Sequence, residues 1–421
     1  MTLHHAGGGM GGFGRYLAAA LAARFANEGM GMAVVLLALE RTGSAAHGAF
    51  VLTAWLVPNV LAAPLAGVAA GRTRRPRLFH VGALATFTAA VAALSVLLGR
   101  APGALVFAVA VLGGTCGPMV TGGLSSLVTG LVPAGPGRDR AYGWDASTYN
   151  AAAVTAPAVV SLIAATVSAG PAMGALAVSG ALAAALAATL AYEDRGAAGP
   201  RSGPRAGVGA GLAALWRVRE LRAITSATTL AFVGIGSLTT TSVLLAAGLD
   251  SPGAGGVLMT AFAVGALAGS LTLGRMTSVE PGRLVRWALT GTGVALTAAA
   301  FTPSLALTAA LFAVAGVCDG PLLTATLRIR AEFAPAGVRT QVFTLGAGLK
   351  MTAASAGAAL VGLAAAAPAG LLLTGIAGLQ FAAALLHVLA SGRAPAPAEA
   401  VTGPSAGFAT TPPGRRSPGA P

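Results

Sequence analysis

Long apolar runs dominate this chain and constrain its fold more than any single motif. Across 421 residues, hydrophobic residues make up 55% and charged residues only 9%, and the mean hydropathy is +0.79. An average soluble domain carries roughly 25% charged residues. Runs of Ala, Leu, Val and Gly about 20 residues long match the thickness of a bilayer, and the lack of period-2 alternation favours helices over a barrel. The sequence therefore predicts an all-α integral membrane protein.

Glycine, proline and charged residues separate the apolar runs, and their positions predict twelve transmembrane helices. The predicted spans cover 16–39, 47–70, 78–99, 103–131, 142–168, 171–192, 221–248, 254–276, 284–302, 304–328, 339–366 and 370–391.

A polar stretch near the middle divides the chain into halves of nearly equal length. We expect an N-terminal tail over 1–15, a six-helix bundle over 16–192, a connecting loop over 193–220, a second bundle over 221–391 and a disordered tail over 392–421. The first apolar run is too long for the core of a cleaved signal peptide, which predicts that it is retained as a helix.

The net charge of +14 is distributed unevenly among the loops. Of the 26 Lys and Arg residues, all but four lie in the tails and in the loops after every second helix. Because short Arg-rich loops stay in the cytoplasm, both termini are predicted to be cytoplasmic in a multi-pass cell-membrane protein. This distribution favours a lipid bilayer, rather than nucleic acid, as the partner of the basic residues.

An internal repeat relates the two halves. The fourth span contains Gly113, Gly117 and Pro118, and the tenth contains Gly316, Gly320 and Pro321, with every position offset by 203 residues. Trp55 of the second span and Phe262 of the eighth match at an offset of 207. With six spans in each half, the repeat is parallel, which predicts two bundles related by an axis along the membrane normal.

These features resemble the major facilitator superfamily, whose fold consists of two pseudo-symmetric six-helix bundles. The family motif GxxxDxxxGR after the second span is matched in part by Gly67, Gly71, Arg72, Arg74 and Arg75, and its repeat by Gly274, Ser278, Gly282 and Arg283. The resemblance implies that Gly67, Arg72, Arg75, Gly274 and Arg283 act in gating and helix packing. Both copies lack the family's acid, and a basic segment that only stops the helix is the alternative.

A second family signature is a Gly- and Pro-rich stretch in the fifth span that is associated with exporting antiporters. Here Ala152, Ala156, Pro157 and Ser161 provide small residues at comparable spacing. Close helix packing is the alternative explanation of this pattern. The family's Arg inside the fourth span is absent, so a proton relay built on that residue cannot operate.

Two charged residues lie near the middle of the first span. Arg24 and Glu28 are four residues apart and share a helix face, with Asn27 beside them. Since an unpaired carboxylate at that depth is costly, Glu28 should be paired, protonated or open to water. The resemblance places this span along the central cavity, where the residues would serve substrate binding or proton coupling. A pair that only neutralises itself is the alternative.

Asp319 and Lys350 are further candidates for substrate binding or proton coupling. Asp319 stands where the first repeat has Cys116, and its alternative role is pairing with Arg328 or Arg330. Lys350, the only lysine, should pair with Asp319 or Glu28, or else extend toward the cytoplasmic surface. Asn59 could contact substrate, and Asp145 is expected in an interfacial pair or cap.

Together these observations predict a secondary transporter that works by alternating access. Glu28 and Asp319 suggest coupling to protons, with export of a small amphipathic or cationic compound. The expected partners are the bilayer, a small-molecule substrate and protons. We expect a monomer without a cofactor, a metal or a nucleic-acid partner.

Three alternatives remain open at the level of sequence. The chain could import a nutrient or metabolite, or act as a membrane sensor or channel without transport. An intramembrane enzyme is disfavoured, because the HExxH and GxSxG motifs are absent. A P-loop is excluded, because Leu349 precedes the only lysine.

Overall fold

The computed structural model describes residues 6–192, 208–251, 254–273, 278–364 and 366–392. Within these ranges the chain forms helices and turns, without a β-strand. The helices are α1 (Ala6–Thr42), α2 (Ala45–Arg72), α3 (Pro76–Leu97), α4 (Gly103–Thr115), a π-helix (Met119–Gly123), α5 (Val128–Leu131), α6 (Pro136–Thr166), α7 (Ala169–Ala188), α8 (Val208–Arg217), α9 (Arg219–Gly248), α10 (Gly255–Leu273), α11 (Pro281–Ala300), α12 (Leu305–Phe333), α13 (Arg339–Leu363) and α14 (Ala369–Ser391).

Proline and glycine set many of the helix boundaries, as their backbone chemistry requires. Pro76, Pro136 and Pro281 are first residues of helices, where the missing N–H is not needed and the fixed φ suits the helix. Gly43 and Gly99 follow helix ends with φ of 68° and 75°, a left-handed conformation that glycine adopts without strain.

Nine helices of the described ranges are long and apolar enough to cross a membrane. The count becomes ten when the two segments of α2, 50–59 and 61–72, which meet at 44°, are taken as one span. Pro58 and Pro64 lie inside this bent helix. The helices α11 and α13 are not among these ten. The prediction of a membrane protein is confirmed, and the count of twelve stays a prediction.

The structure departs from the predicted elements at three places. The predicted tail 1–15 is helical from Ala6, and the predicted connecting loop 193–220 contains α8. The predicted continuous helix 103–131 is wrong: it is divided into α4, the π-helix and α5. Gly122 and Gly123, which correspond to Ala325 and Thr326 in the continuous α12, contribute to this break, because glycine weakens a helix.

The helices pack as two groups that follow chain order. The largest buried apolar cluster draws nearly all its residues from α1 to α7, and two further clusters come from α9 to α14. Leu327, Ala331 and Phe343 of the second group join the first cluster. The two groups therefore have separate cores that meet along one interface.

The sequence repeat corresponds to the same packing arrangement in each group. Gly113 of α4 lies against Trp55 of α2, and Gly117, two residues after the end of α4, lies against Asn59 of α2. In the second group Gly316 and Gly320 of α12 lie against the backbone of Phe262 and Ala266 in α10. At each of the four glycines a methyl group would overlap its neighbour. Between apolar helices in lipid, such close approach replaces the missing hydrophobic driving force.

We predict that Gly316→Ala lowers the melting temperature of the purified protein, whereas Gly378→Ala does not. A methyl at Gly316 would overlap the carbonyl oxygen of Phe262, which should cost about 1–3 kcal/mol of stability. A methyl at Gly378 in α14 meets open space and should be neutral or stabilise by about 0.5–1 kcal/mol. Equal melting temperatures in the two variants would contradict the packing role of Gly316.

Candidate functional site

The two helix groups meet closely at the end that carries the Arg-rich connections. A methyl at Gly67 of α2 would lie 2.6 Å from Cα of Gln341 in α13, and a methyl at Gly122 would lie 2.5 Å from the carbonyl oxygen of Phe343. These contacts bring backbone against backbone across the interface. The Gly67 motif thus packs helices together although its family acid is missing.

An ion pair joins the groups at the same end. Arg328 of α12 donates from Nε and Nη2 to the two carboxylate oxygens of Asp139 in α6, at 2.9 and 2.8 Å. Its Nη1 also donates to the carbonyl of Val279 at 3.2 Å. Bidentate Arg–carboxylate pairs are among the stronger hydrogen-bonded contacts in proteins. The pair bridges the interface and excludes Arg328 as the partner of Asp319.

Neutral hydrogen bonds extend this contact between α6 and α10. The Asn150 amide donates to the carbonyl of Ala266 at 3.1 Å and to Ser270 at 3.2 Å, and Ser147 donates to Ser270 at 3.1 Å. Within the described ranges, the hydrogen bonds between the two groups join the Arg-rich halves of their helices. The structure is therefore closed at its Arg-rich end.

The helix α8 lies against this closed end. The backbone N–H of Gly211 donates to Oε1 of Gln341 in α13 at 2.8 Å, and Leu215 is buried in a small cluster with Val338 and Val342. Gln341 is 2% exposed and also contacts Gly67. A single glutamine thus ties the connection between the halves to both sides of the interface.

Three of the predicted charged residues lie halfway along their helices. Asp319 is 14 residues from each end of α12, and Lys350 is 11 and 13 residues from the ends of α13. Glu28 is 14 residues from the end of α1. Each side chain is partly exposed, and none belongs to the two ion pairs found within 4 Å in the described ranges. We call Glu28, Asp319 and Lys350 the central charges.

The central charges act on one another and come from both helix groups. Lys350 lies within electrostatic reach of Asp319 and Glu28, and its Nζ is 4.1 Å from the ring centroid of Phe232. One carboxylate oxygen of Asp319 is buried without a hydrogen-bond partner in the described structure. Glu28 accepts a hydrogen bond from Asn27 at 3.2 Å. Lys350 therefore lies near both of its predicted partners without a direct ion pair.

Arg24 does not form the expected pair with Glu28. Its guanidinium pairs with Asp145 of α6 at 2.8 Å and also donates to Thr148 and Ser125. Both charged side chains have 0% exposure. The pair lies inside the first helix group, so Arg24 is removed from the central charges by a stronger local partner.

Further contacts make this buried pair the centre of a network. Asp145 accepts hydrogen bonds from Tyr16 at 2.6 Å and from Ser125 at 2.7 Å. The guanidinium of Arg24 lies 3.5 Å from the ring centroid of Tyr149. The network joins α1 and α6 to the segment between the π-helix and α5. It gives the broken fourth span a fixed polar anchor.

The remaining predicted residues serve packing or lie at the surface. Asn59 is 8% exposed and contacts Gly117, and Pro157 lies inside α6. Arg72, Arg75 and Arg283 are exposed at the Arg-rich end. Pro118 precedes the π-helix, whereas Pro321 lies within the continuous α12. Gly274 lies outside the described residues.

Sequence reasoning missed four residues of this region. It gave no role to Asp139, Tyr149 or Phe232, and it considered Arg330 only as a partner of Asp319. Asp139 is close in sequence to a loop and carries no periodic signal, while Tyr149 and Phe232 are aromatic residues in apolar helices.

An open groove of about 340 Å³ between α2 and α4 is lined by residues such as Phe50, Val57 and Phe107 and contains none of the central charges.

Several solved structures share this architecture. A bacterial homologue of the iron transporter ferroportin in an outward-facing state superposes with a TM-score of 0.73 at 16% identity, covering 90% of this chain and 99% of that one. The human organic anion transporter MFSD10 gives 0.71 at 16% identity, with 90% and 100% covered. The Escherichia coli fucose:proton symporter gives 0.66 at 12% identity, with 89% and 98% covered.

The chain therefore has the fold of the major facilitator superfamily, as the sequence resemblance implied. No family model and no curated protein sequence matches it. At 12–16% identity the likeness concerns the fold, and the function must be argued from the residues of this chain.

We predict that Arg24→Met destabilises the protein by about 3–5 kcal/mol, because it leaves the Asp145 carboxylate buried without its cation. The double variant Arg24→Met/Asp145→Leu should recover much of that stability, since no charge then remains buried. Thermal unfolding of the purified variants measures both effects. A double variant that is no more stable than the single one would contradict the pairing.

Proposed function

We propose that the protein is a secondary active transporter that works by alternating access and couples transport to protons. The observation that carries this proposal is the position of the central charges, which lie halfway along their helices and come from both helix groups. The closed Arg-rich end supports the same proposal, because a cargo can pass through the protein only if that end opens.

The energetic cost of the central charges supports a functional role. A charged side chain halfway across a membrane costs about 2.5–3.5 kcal/mol on insertion scales. A structural role would require a partner such as the one that Arg24 has in Asp145. Glu28 and Asp319 lack such a partner in the described structure, and both are partly exposed. They can therefore gain and lose protons as the surroundings change.

Alternating access follows from the nature of the interface. The contacts that close the Arg-rich end consist of one ion pair, a few neutral hydrogen bonds and glycine approaches, while each helix group keeps its own apolar core. Separating the groups would break these contacts and the packing of Leu327, Ala331 and Phe343 against the first cluster, while most of each core stays within its own group. Cargo or protons that favour one arrangement then shift the population between the two.

The orientation proposed here places the closed end in the cytoplasm of the cell. The Arg bias of the loops sets this direction, so the structure corresponds to an outward-facing arrangement. Trp144, Trp216 and Trp287 are exposed at the same end, which fits a membrane–water interface.

The proposed cargo is a small amphipathic or cationic compound, and the proposed direction is export. Glu28 and Asp319, the two acids among the central charges, favour a cationic group on the cargo. Ala152, Ala156 and Pro157 of α6 support export, because they resemble the signature of exporting antiporters. One structural neighbour is a fucose:proton symporter, so proton coupling is known within this fold.

We predict that cells producing the protein accumulate less ethidium, a lipophilic cation, than cells with an empty vector. The host should lack its own exporters, and a protonophore should abolish the difference. Glu28→Gln and Asp319→Asn should each reduce the difference at least tenfold, because neither amide can carry the proton. Glu332→Gln, which changes an exposed acid at the end of α12, is the matched control and should behave like the wild type.

The outcomes distinguish the alternatives. Increased accumulation that depends on Glu28 would indicate import. Unchanged flux of a transported compound in both the Glu28 and the Asp319 variants would contradict the coupling role of these acids. Binding of a panel compound to the purified protein without any flux would favour a sensor.

A further inference from the structure

Arg330 of α12 is a buried cation without a partner among the residues that the structure describes. Its side chain is 2% exposed, and its Nε and Nη2 atoms are buried without a hydrogen-bond partner in the described ranges. Neither of the two ion pairs within those ranges includes it. A guanidinium stays charged in proteins, and removing it from water without compensation is strongly unfavourable. The position therefore calls for a negative group.

The residues around Arg330 supply no such group. Arg328, two residues earlier, already donates to Asp139 from its Nε and Nη2 atoms. The electrostatic neighbours of Arg330 are Tyr149, whose hydroxyl lies 3.2 Å from Ser125, and Lys350, which carries the same charge. Neither Asp319 nor Glu28 forms an ion pair with Arg330 within 4 Å in the described ranges. The like charge of Lys350 adds to the demand for an anion.

The local backbone makes room for the guanidinium at this place. Gly346 of α13 faces it, and a methyl group there would overlap the guanidinium carbon and Nη2. Tyr149, which acts on Arg330 electrostatically, belongs to α6 of the first helix group. The missing side chain of Gly346 thus leaves space for the guanidinium of Arg330 at the interface. Gly346 is four residues before Lys350 in α13.

The two unpartnered donors also have a specific geometry. Nε and Nη2 lie on the same edge of a guanidinium, the edge that binds both oxygens of a carboxylate through parallel hydrogen bonds. Asp139 occupies this same edge in Arg328. At Arg330 the matching pair of donors is buried and has no hydrogen-bond partner in the described ranges.

We propose that Arg330 is the binding residue of a carboxylate subsite on the cytoplasmic side of the central charges. This inference rests on the proposed function. It implies that the cargo carries a carboxylate, which binds Arg330, and a cationic group, which lies near Glu28 and Asp319. A small free carboxylate bound as a counter-ion uses the same chemistry and is the other source of the ligand.

Thermal unfolding of the purified full-length protein tests the subsite without any transport. Sodium acetate replaces sodium chloride at constant ionic strength, and acetate should raise the melting temperature by about 2 °C or more at 100 mM, since a ligand that binds only the folded state stabilises it. Glycine betaine is the zwitterionic probe. A larger shift with betaine than with acetate assigns the subsite to the cargo, whereas an equal or smaller shift assigns it to a free carboxylate.

Variants of the same region make the test specific. Arg330→Gln should abolish the acetate shift, and Arg330→Lys should reduce it severalfold, because an ammonium lacks the two-pronged edge. Gly346→Ala should also weaken it by displacing the guanidinium. Arg286→Gln, which changes an exposed arginine of α11, should keep the full shift. The absence of an acetate effect in the wild type, or its persistence in Arg330→Gln or Arg330→Lys at full size, would overturn the proposal.

Failure of this test would leave the transporter proposal intact, because ethidium accumulation depends on the acids and not on a carboxylate. Conversely, an acetate shift that depends on Arg330 in a protein without flux would retain the subsite and reject transport.

Discussion

The cost of an ionised side chain away from water organises this structure. Charged residues make up 9% of the chain. Apart from Arg330, which is buried without a partner in the described ranges, the charged residues inside the bundles find three different solutions. Arg24 and Asp145 pair completely inside one helix group, and Arg328 pairs with Asp139 across the interface. The central charges remain partly exposed near one another, without direct pairing. The first solution stabilises a bundle, the second holds two bundles together, and the third leaves groups able to react to a proton or a cargo.

Glycine provides the second constraint, since helices in lipid gain little from apolar contact alone. The equivalent approaches of Gly113 to Trp55 and of Gly316 to Phe262 show that both groups use one packing plan. The copies then diverge after their shared proline. The first copy is interrupted at the π-helix, where Ser125 joins the polar network and Gly122 packs at the interface. The second copy continues as one helix that carries Arg328 and Arg330. π-helical segments are frequent at functional sites, and here the segment lies against α13.

The sequence was sufficient for the features that depend on local composition and periodicity. Apolar runs predicted helices that can cross a membrane, and the Gly–Pro repeat predicted two related helix bundles. It failed where spatial neighbours decide the outcome. Arg24 and Glu28 share a helix face, yet Asp145, 121 residues away in sequence, accepts from Arg24 more closely. Asp139 and Arg328 are 189 residues apart, and no spacing rule connects them. The broken fourth span was missed because its apolar composition continues through Gly122 and Gly123.

Motion between the two helix groups is the central claim, and a distance across the Arg-rich end measures it most directly. Spin labels at Arg74→Cys and Arg286→Cys, in a background with Cys116 and Cys318 replaced by Ser, place one probe on each group at exposed positions. The account predicts a short and a long distance by pulsed electron paramagnetic resonance, in proportions that change with pH and lose that change in Glu28→Gln/Asp319→Asn. A single distance that stays the same at every pH would contradict it.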